Sequence, residues 1–224
     1  MDGASTQERL ARVRGGIAQA AGLAGRQPGG ISLIAVSKTH SAEAITPLLE
    51  AGQTDFGENR VQEAEAKWPA LKAQWPAARL HLIGQLQSNK AEAAVELFDV
   101  IHSLDRPSLV TALGKVAERA GRAPDCFIQV NLADEPQKGG CAVGDLPDLI
   151  ARTRSTGLPL IGLMCIPPAD LEPAPWFALL AELARRHELP GLSMGMSGDY
   201  ESAVMIGATH IRVGTALFGS RGTA

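Results

Sequence analysis

An eightfold alternation of short apolar strands with amphipathic helices predicts an α/β chain folded as a (β/α)8 TIM barrel with an extra N-terminal helix. Two further observations support that fold. The 224 residues suit one barrel, and no linker, low-complexity tract or charge block divides them, so a single domain over 1–224 is expected. The turn after the first strand reads Ser37-Lys38-Thr39-His40. It lacks the glycines that would announce the alternative, an open doubly wound sheet.

Taken in order, the elements begin with a helix. Leu10, Val13, Ile17, Ala20 and Ala24 share one face of a helix over 6–24, which the Pro- and Gly-containing stretch 25–30 ends. Strands are expected at 31–36, 54–57, 80–83, 99–103, 126–131, 159–164, 192–196 and 209–213. Helices are expected around 42–51, 60–75, 88–97, 107–120, 145–156, 174–188 and 199–207. Pro107 suits a first helical position, and Gly121 and Gly157 stand just past C-termini. Pro47 interrupts the second helical stretch and is read as opening a shorter helix capped by Thr46.

Composition excludes several functions. A formal charge of −3 gives no electrostatic case for nucleic acid or an anionic membrane. Cys126, Cys141 and Cys165 have no ligand spacing and read as reduced thiols of a cytoplasmic protein. The polar start MDGASTQERLARVR is not a secretory signal, and no apolar run approaches the ~20 residues that span a bilayer. His40, His81, His102, His187 and His210 share no ligand spacing, so no metal is expected.

In such barrels the chemistry sits where the strands end at their C-termini. There the chain carries Ser37-Lys38, Glu58-Asn59, Gly84-Gln85, Ser103, Asn131, Met164-Cys165, Ser197-Gly198 and Gly214-Thr215. These are mostly small, polar or ionisable residues, as a ligand pocket requires. Lys38 closes the apolar run ISLIAVS, which points an amine into a partly dry pocket. Desolvation favours the neutral amine that Schiff-base chemistry with an aldehyde needs.

The last two strand ends suggest a phosphate site, which recurs at this place in such barrels. Gly214 and Thr215 can turn backbone amides toward an anion, and the hydroxyls of Ser197 and Thr215 can donate as well. Arg212 shares a strand face with Gly214. It is either a phosphate clamp or a donor to a ring nitrogen, and an arginine cannot give its proton away. Barrel closure makes the first and last strands neighbours. An aldehyde carrying a phosphate would bridge them, which describes pyridoxal 5′-phosphate (PLP) or a phosphorylated sugar in a Schiff-base aldolase.

The motifs AVSKTH (35–40), FGENRVQEA (56–64), HLIGQLQSNK (81–90) and IHSLDR (101–106) resemble those of the pyridoxal phosphate homeostasis proteins. So do QVN (129–131), KGG (138–140), GLM (162–164) and SMGMSGDYESAVMIGATHIRVGTALFG (193–219). The resemblance covers about 31–219. It implies a barrel similar to the N-terminal domain of alanine racemase, monomeric or weakly associating, with an aldimine between Lys38 and PLP. It places the phosphate on Ser197, Gly214 and Thr215, the pyridine nitrogen at Arg212, and the ring among Asn59, Asn131 and Met164. Gln85 stands where many members carry histidine.

The resemblance further implies a role in binding, buffering and delivering PLP, with PLP-dependent apoenzymes as recipients. No residue is assigned a catalytic role. The alternative is a low-activity PLP-dependent amino-acid racemase. A two-base racemisation needs an acid/base on each face of the substrate carbon. Lys38 could serve one, but the only tyrosine, Tyr200, is expected in a helix, and no second domain is expected after the barrel. A Schiff-base aldolase would need a proton-shuttling carboxylate beside Lys38, for which strand position offers Glu58. Lys90 and Lys138 lie near the same face and read as solvated or as attracting an anionic ligand, with cofactor transfer as a further role for Lys138.

Overall fold

The computed structural model describes residues 5–219. Helix α1 (Thr6–Leu23) begins at a capping box: Glu8 N donates to Ser5 Oγ (3.2 Å) and Ser5 N to Glu8 Oε2 (2.6 Å). Its apolar stripe buries Leu10, Val13 and Ile17, each contributing about 1.5–3 kcal/mol of apolar transfer.

Among the described residues nine strands come after it: β1 (Ser32–Val36), β2 (Asp55–Glu58), β3 (Arg79–Leu82), β4 (Val100–Leu104), β5 (Asp125–Asn131), β6 (Cys141–Ala142), β7 (Leu160–Met164), β8 (Gly191–Met196) and β9 (His210–Val213). All of these pair in parallel. The two-residue β6 lies beside the end of β5, and the other eight close a barrel with β4 on β5 and β9 on β1. The helices between them are α2 (Ala42–Glu50), α3 (Val61–Gln74), α4 (Ala91–Leu97), α5 (Pro107–Ala120), α6 (Leu146–Ser155), α7 (Ala174–Arg186), α8 (Tyr200–Ile206) and α9 (Thr215–Phe218).

Helix α2 runs unbroken through Pro47, which corrects the shorter helix expected there. Thr46 Oγ1 donates back to the Ala42 carbonyl (3.0 Å) and caps nothing. Pro47 forfeits one intrahelical bond, and burial of Ile45, Leu48 and Leu49 holds the helix on both sides of it.

The last βα unit supplies only the one-turn α9, too short to cover the β9–β1 seam. Helix α1 packs against α2, α8 and α9 and does so instead. Arg26 ties the connection after α1 to this corner, donating to Val204 O (2.6 Å) and Ala208 O (2.8 Å).

Strand alternation separates two interiors. The outward residues, such as Leu33, Ala35, Phe56 and Leu80, join the helices in one large core. Inside the barrel a small apolar cluster of Val100, Phe127 and Met164 leaves room for polar groups. His81, His102, Ser193 and Arg212 are all buried.

Candidate functional site at the C-terminal mouth of the barrel

Lys38 stands in the tight turn that ends β1. Alternation puts it on the inward face with Ile34 and Val36. The turn is braced from outside. Ser37 N donates to Gly57 O (2.9 Å), and Lys67 Nζ on α3 donates to the carbonyls of Ser37 (3.0 Å) and His40 (2.9 Å). Thr39 N donates to Glu63 Oε1, and the His40 ring stacks on Phe218 at 4.2 Å. Thr39 itself has φ 65°, a strained conformation for a β-branched residue that these contacts hold in place. Lys38 is half-buried, and its amine has no hydrogen-bond or ion-pair partner among the described residues.

Glu58 is on the other face of its strand. Its Oε1 accepts from Ser37 Oγ (2.6 Å) and Trp68 Nε1 (3.0 Å) and pairs with Lys67 Nζ (2.9 Å), all under α3. It therefore braces the Lys38 turn from outside and does not face the amine as a proton shuttle.

Arg212 is 4% exposed and points into the barrel. One terminal nitrogen (NH1) donates to Ser193 Oγ (2.6 Å) and the other (NH2) to the Cys165 carbonyl (2.8 Å). Its Nε has no partner among the described residues. Burial lowers its pKa, and the neighbouring Cys165 and Asp199 oppose that shift. One residue beyond the Ala35–Val213 pair, Gly214 lies beside Val36, with Ile34 opposite Arg212. A Cβ on Gly214 would come within 3.4 Å of Val36 Cβ, so any side chain there would enter the mouth beneath Lys38. Closure thus brings the turn carrying Lys38 beside Arg212 and Gly214.

The two phosphate-type loops are joined directly: Gly214 N donates to Ser197 Oγ (3.2 Å). No side chain caps α9, so the first-turn amides of Thr215 and Ala216 remain available. Asp199 Oδ1 accepts from Met196 N (2.5 Å), folding its carboxylate into its own loop. Ser197, Gly198 and Thr215 line a cleft of about 650 Å³ that faces Arg9 and Arg12 of α1. Lys38 and Arg212 do not line this cleft, which runs behind the loops.

The remaining expected residues form the rim and the floor. A cavity of about 310 Å³ is lined by Asn59, Gly84, Gln129, Asn131, Lys138 and Ile166, among others. Gly84 passes so close to Asn59 that a Cβ there would stand 2.3 Å from its carbonyl oxygen. Asn131 commits its amide to the loop after β5, donating to Glu135 O (2.9 Å) and accepting from Glu135 N (3.2 Å). That loop is also held by Gln129 Nε2 on Gly139 O (2.9 Å), with Gln85 Nε2 on Gln129 Oε1 (2.7 Å). Lys138 pairs with Glu135 (2.6 Å) and donates to Pro167 O (3.1 Å). Met164 is fully buried on Phe127 and Val100, as floor beneath the mouth.

The largest feature that motif reading missed is a polar line through the barrel. Asp55 Oδ1 meets His81 Nε2 (2.9 Å), His81 Nδ1 meets His102 Nε2 (2.9 Å), and His102 Nδ1 meets Ser193 Oγ (2.8 Å), which accepts from Arg212. His210 packs edge-on against His102 and Phe127 at 5.9 and 4.9 Å. Burial depresses the pKa of all three histidines, that of His102 well below the ordinary value and that of His210 to about 4. Strand register was the available signal: His81, His102 and His210 all fall on inward positions of their strands. Among the described residues no cluster of His, Cys, Asp or Glu is placed to hold a metal ion, and no helix is long and apolar enough to cross a membrane.

Comparison with known proteins gives the family and supports the fold. The family model "Alanine racemase, N-terminal domain" matches residues 10–222. The pyridoxal phosphate homeostasis protein of Pseudomonas aeruginosa is 42% identical over 96% of this chain and 95% of its own. That of Escherichia coli K12 is 38% identical over 95% of each. PipY of Synechococcus elongatus, solved with PLP bound, is 42% identical with a TM-score of 0.84, covering 96% of this chain and all of that one. An alanine racemase from Clostridium difficile shares the fold, with a TM-score of 0.68 at 12% identity over 94% of this chain and 57% of that one.

Proposed function

As the chain belongs to the pyridoxal phosphate homeostasis protein family, we propose that it binds PLP covalently at Lys38 and holds the cofactor for release to other proteins. The observation that carries this reading is the Lys38 turn. Lys67, Glu58, Glu63 and Phe218 brace it, while the amine itself has no partner among the described residues.

When bound, PLP supplies an aldehyde that condenses with an amine, with loss of water. The protein's part is to bind and orient. Ser197, Gly214 and Thr215 hold the phosphate, with the uncapped first-turn amides of α9 as donors. Arg212 turns its uncommitted Nε–H to the ring nitrogen and keeps that nitrogen an acceptor, because guanidinium does not release its proton. Asn59 edges the ring pocket, Met164 forms its floor, and Asn131 shapes the rim through its grip on Glu135.

An unprotonated ring withdraws electrons weakly, which favours storage over turnover. Nor is Tyr200 placed as a second acid/base. It lies against Gly16 of α1, where a Cβ on that glycine would meet Tyr200 Oη at 2.4 Å. We therefore assign a non-catalytic carrier, one barrel domain over 1–224, monomeric and cytoplasmic, that serves PLP-dependent apoenzymes and binds neither nucleic acid nor membrane. Titration of the purified protein with PLP, followed by absorbance, tests binding. Incubating the loaded protein with alanine in deuterated water tests the carrier role: Cα exchange at an enzyme-like rate would make it a racemase.

A further inference from the structure

The polar line inside the barrel has a forced direction. At its lower end Asp55 can only accept, because its carboxyl stays ionised. Burial raises the pKa of that group, but the hydrogen bond from His81, with help from Thr54 and Arg79, brings it below the usual value. His81 must therefore carry its proton on Nε2, at 2.9 Å from Asp55 Oδ1. A neutral His81 then presents Nδ1 as an acceptor, so His102 must donate from Nε2. A neutral His102 presents Nδ1 in turn, so Ser193 must donate to it. Ser193 Oγ can then accept, and its neighbour Arg212 can only donate. The two ends demand the same orientation. Reversing any link would set two acceptors or two donors face to face in a chain whose His81, His102 and Ser193 are fully buried, where an unmade hydrogen bond is costly.

We infer that Asp55, His81, His102 and Ser193 are positioning residues, a one-way hydrogen-bond chain that fixes the Arg212 guanidinium so that its Nε–H faces the cofactor ring. This rests on the reading that Arg212 meets the ring nitrogen. The chain gives a buried cation a defined acceptor at NH1 and links it across the barrel to a carboxylate that does not touch it. With the Cys165 carbonyl on NH2, it leaves Nε as the guanidinium nitrogen with no partner among the described residues. Both histidines are fully buried, so the chain is placed to act on the cofactor through Arg212.

Long-range proton–nitrogen NMR on the cofactor-free protein with 15N-labelled histidine reads the direction without reference to PLP. His81 and His102 should both be neutral and protonated on Nε2 at neutral pH. An Nδ1–H form or a charged ring at either position overturns the inference. Ser193→Ala removes one oxygen and tests the consequence. PLP should bind about tenfold more weakly, with a shifted absorbance maximum for the lysine-bound form, while the cofactor-free variant still melts cooperatively. Unchanged affinity and spectrum in Ser193→Ala would also overturn it. A wild-type protein that shows the expected NMR pattern but forms no borohydride-stable adduct with PLP refutes the cofactor reading, and with it the role given to the chain.

Discussion

Acid should weaken this fold through histidines that are buried neutral, and His210 allows the size to be worked out. Burial, reinforced by the nearby His81, pushes its pKa from 6.5 to about 4. The folded protein thus refuses a proton that the unfolded chain accepts below the ordinary histidine pKa. The corresponding stability is fully present above about pH 6.5 and is lost as the pH falls toward about 4, because in that window the unfolded state binds more protons. At roughly 1.36 kcal/mol per pKa unit, the loss from His210 alone is about 3 kcal/mol across the window and about 2 kcal/mol by pH 5. That is a large share of the ~5–15 kcal/mol that holds a typical domain together. Urea unfolding from about pH 7.5 to about pH 4.5, on the wild type and His210→Gln, isolates the contribution. The variant starts less stable, having lost the Thr209 contact (2.9 Å), but should fall less steeply on acidification. Two curves that stay parallel over the whole window would rule out a buried, neutral His210.

The same contacts predict other outcomes. Glu58→Ala leaves Lys67 without its buried partner and frees the Lys38 turn, so urea unfolding should register a loss of about 3–5 kcal/mol. Gly214→Val should weaken PLP binding at least tenfold while changing the melting temperature little, since its new side chain enters the mouth beside Val36; spectroscopic titration and thermal melting check both. Burial pushes Cys126, Cys141 and Cys165 up to about 12, so a thiol reagent should label none of them in the native protein and all three after unfolding.

The barrel was legible because its strands are short, apolar and regularly spaced, and each runs on into a residue type that does not belong in a core. Lys38, Ser197, Arg212, Gly214 and Thr215 stood out because they lie at or just past strand C-termini, and closure of β9 on β1 brings their loops together. Glu58 shows the limit of that criterion. Being near Lys38 in sequence places it close, but strand parity turns it toward Trp68 and away from the mouth. Asn131 was expected to line the ring pocket, yet its amide is committed to Glu135, a contact four residues along an irregular loop that no periodicity reveals. The histidine chain was missed for another reason. Its members lie far apart in sequence, on inward positions of β2, β3, β4, β8 and β9, so no spacing within one segment reveals them. Pro47 was over-read, since one lost hydrogen bond is a small cost beside the burial of Leu48 and Leu49.

The group proposed to take the cofactor is the amine of Lys38. Borohydride treatment of the PLP-loaded protein, with peptide mass spectrometry afterwards, tests it most directly. The near-visible band should disappear and a single phosphopyridoxyl adduct should form on Lys38, with no adduct on Lys67, Lys90 or Lys138. A band that survives reduction, an adduct on another lysine, or a Lys38→Ala variant with the same spectrum and affinity would contradict it.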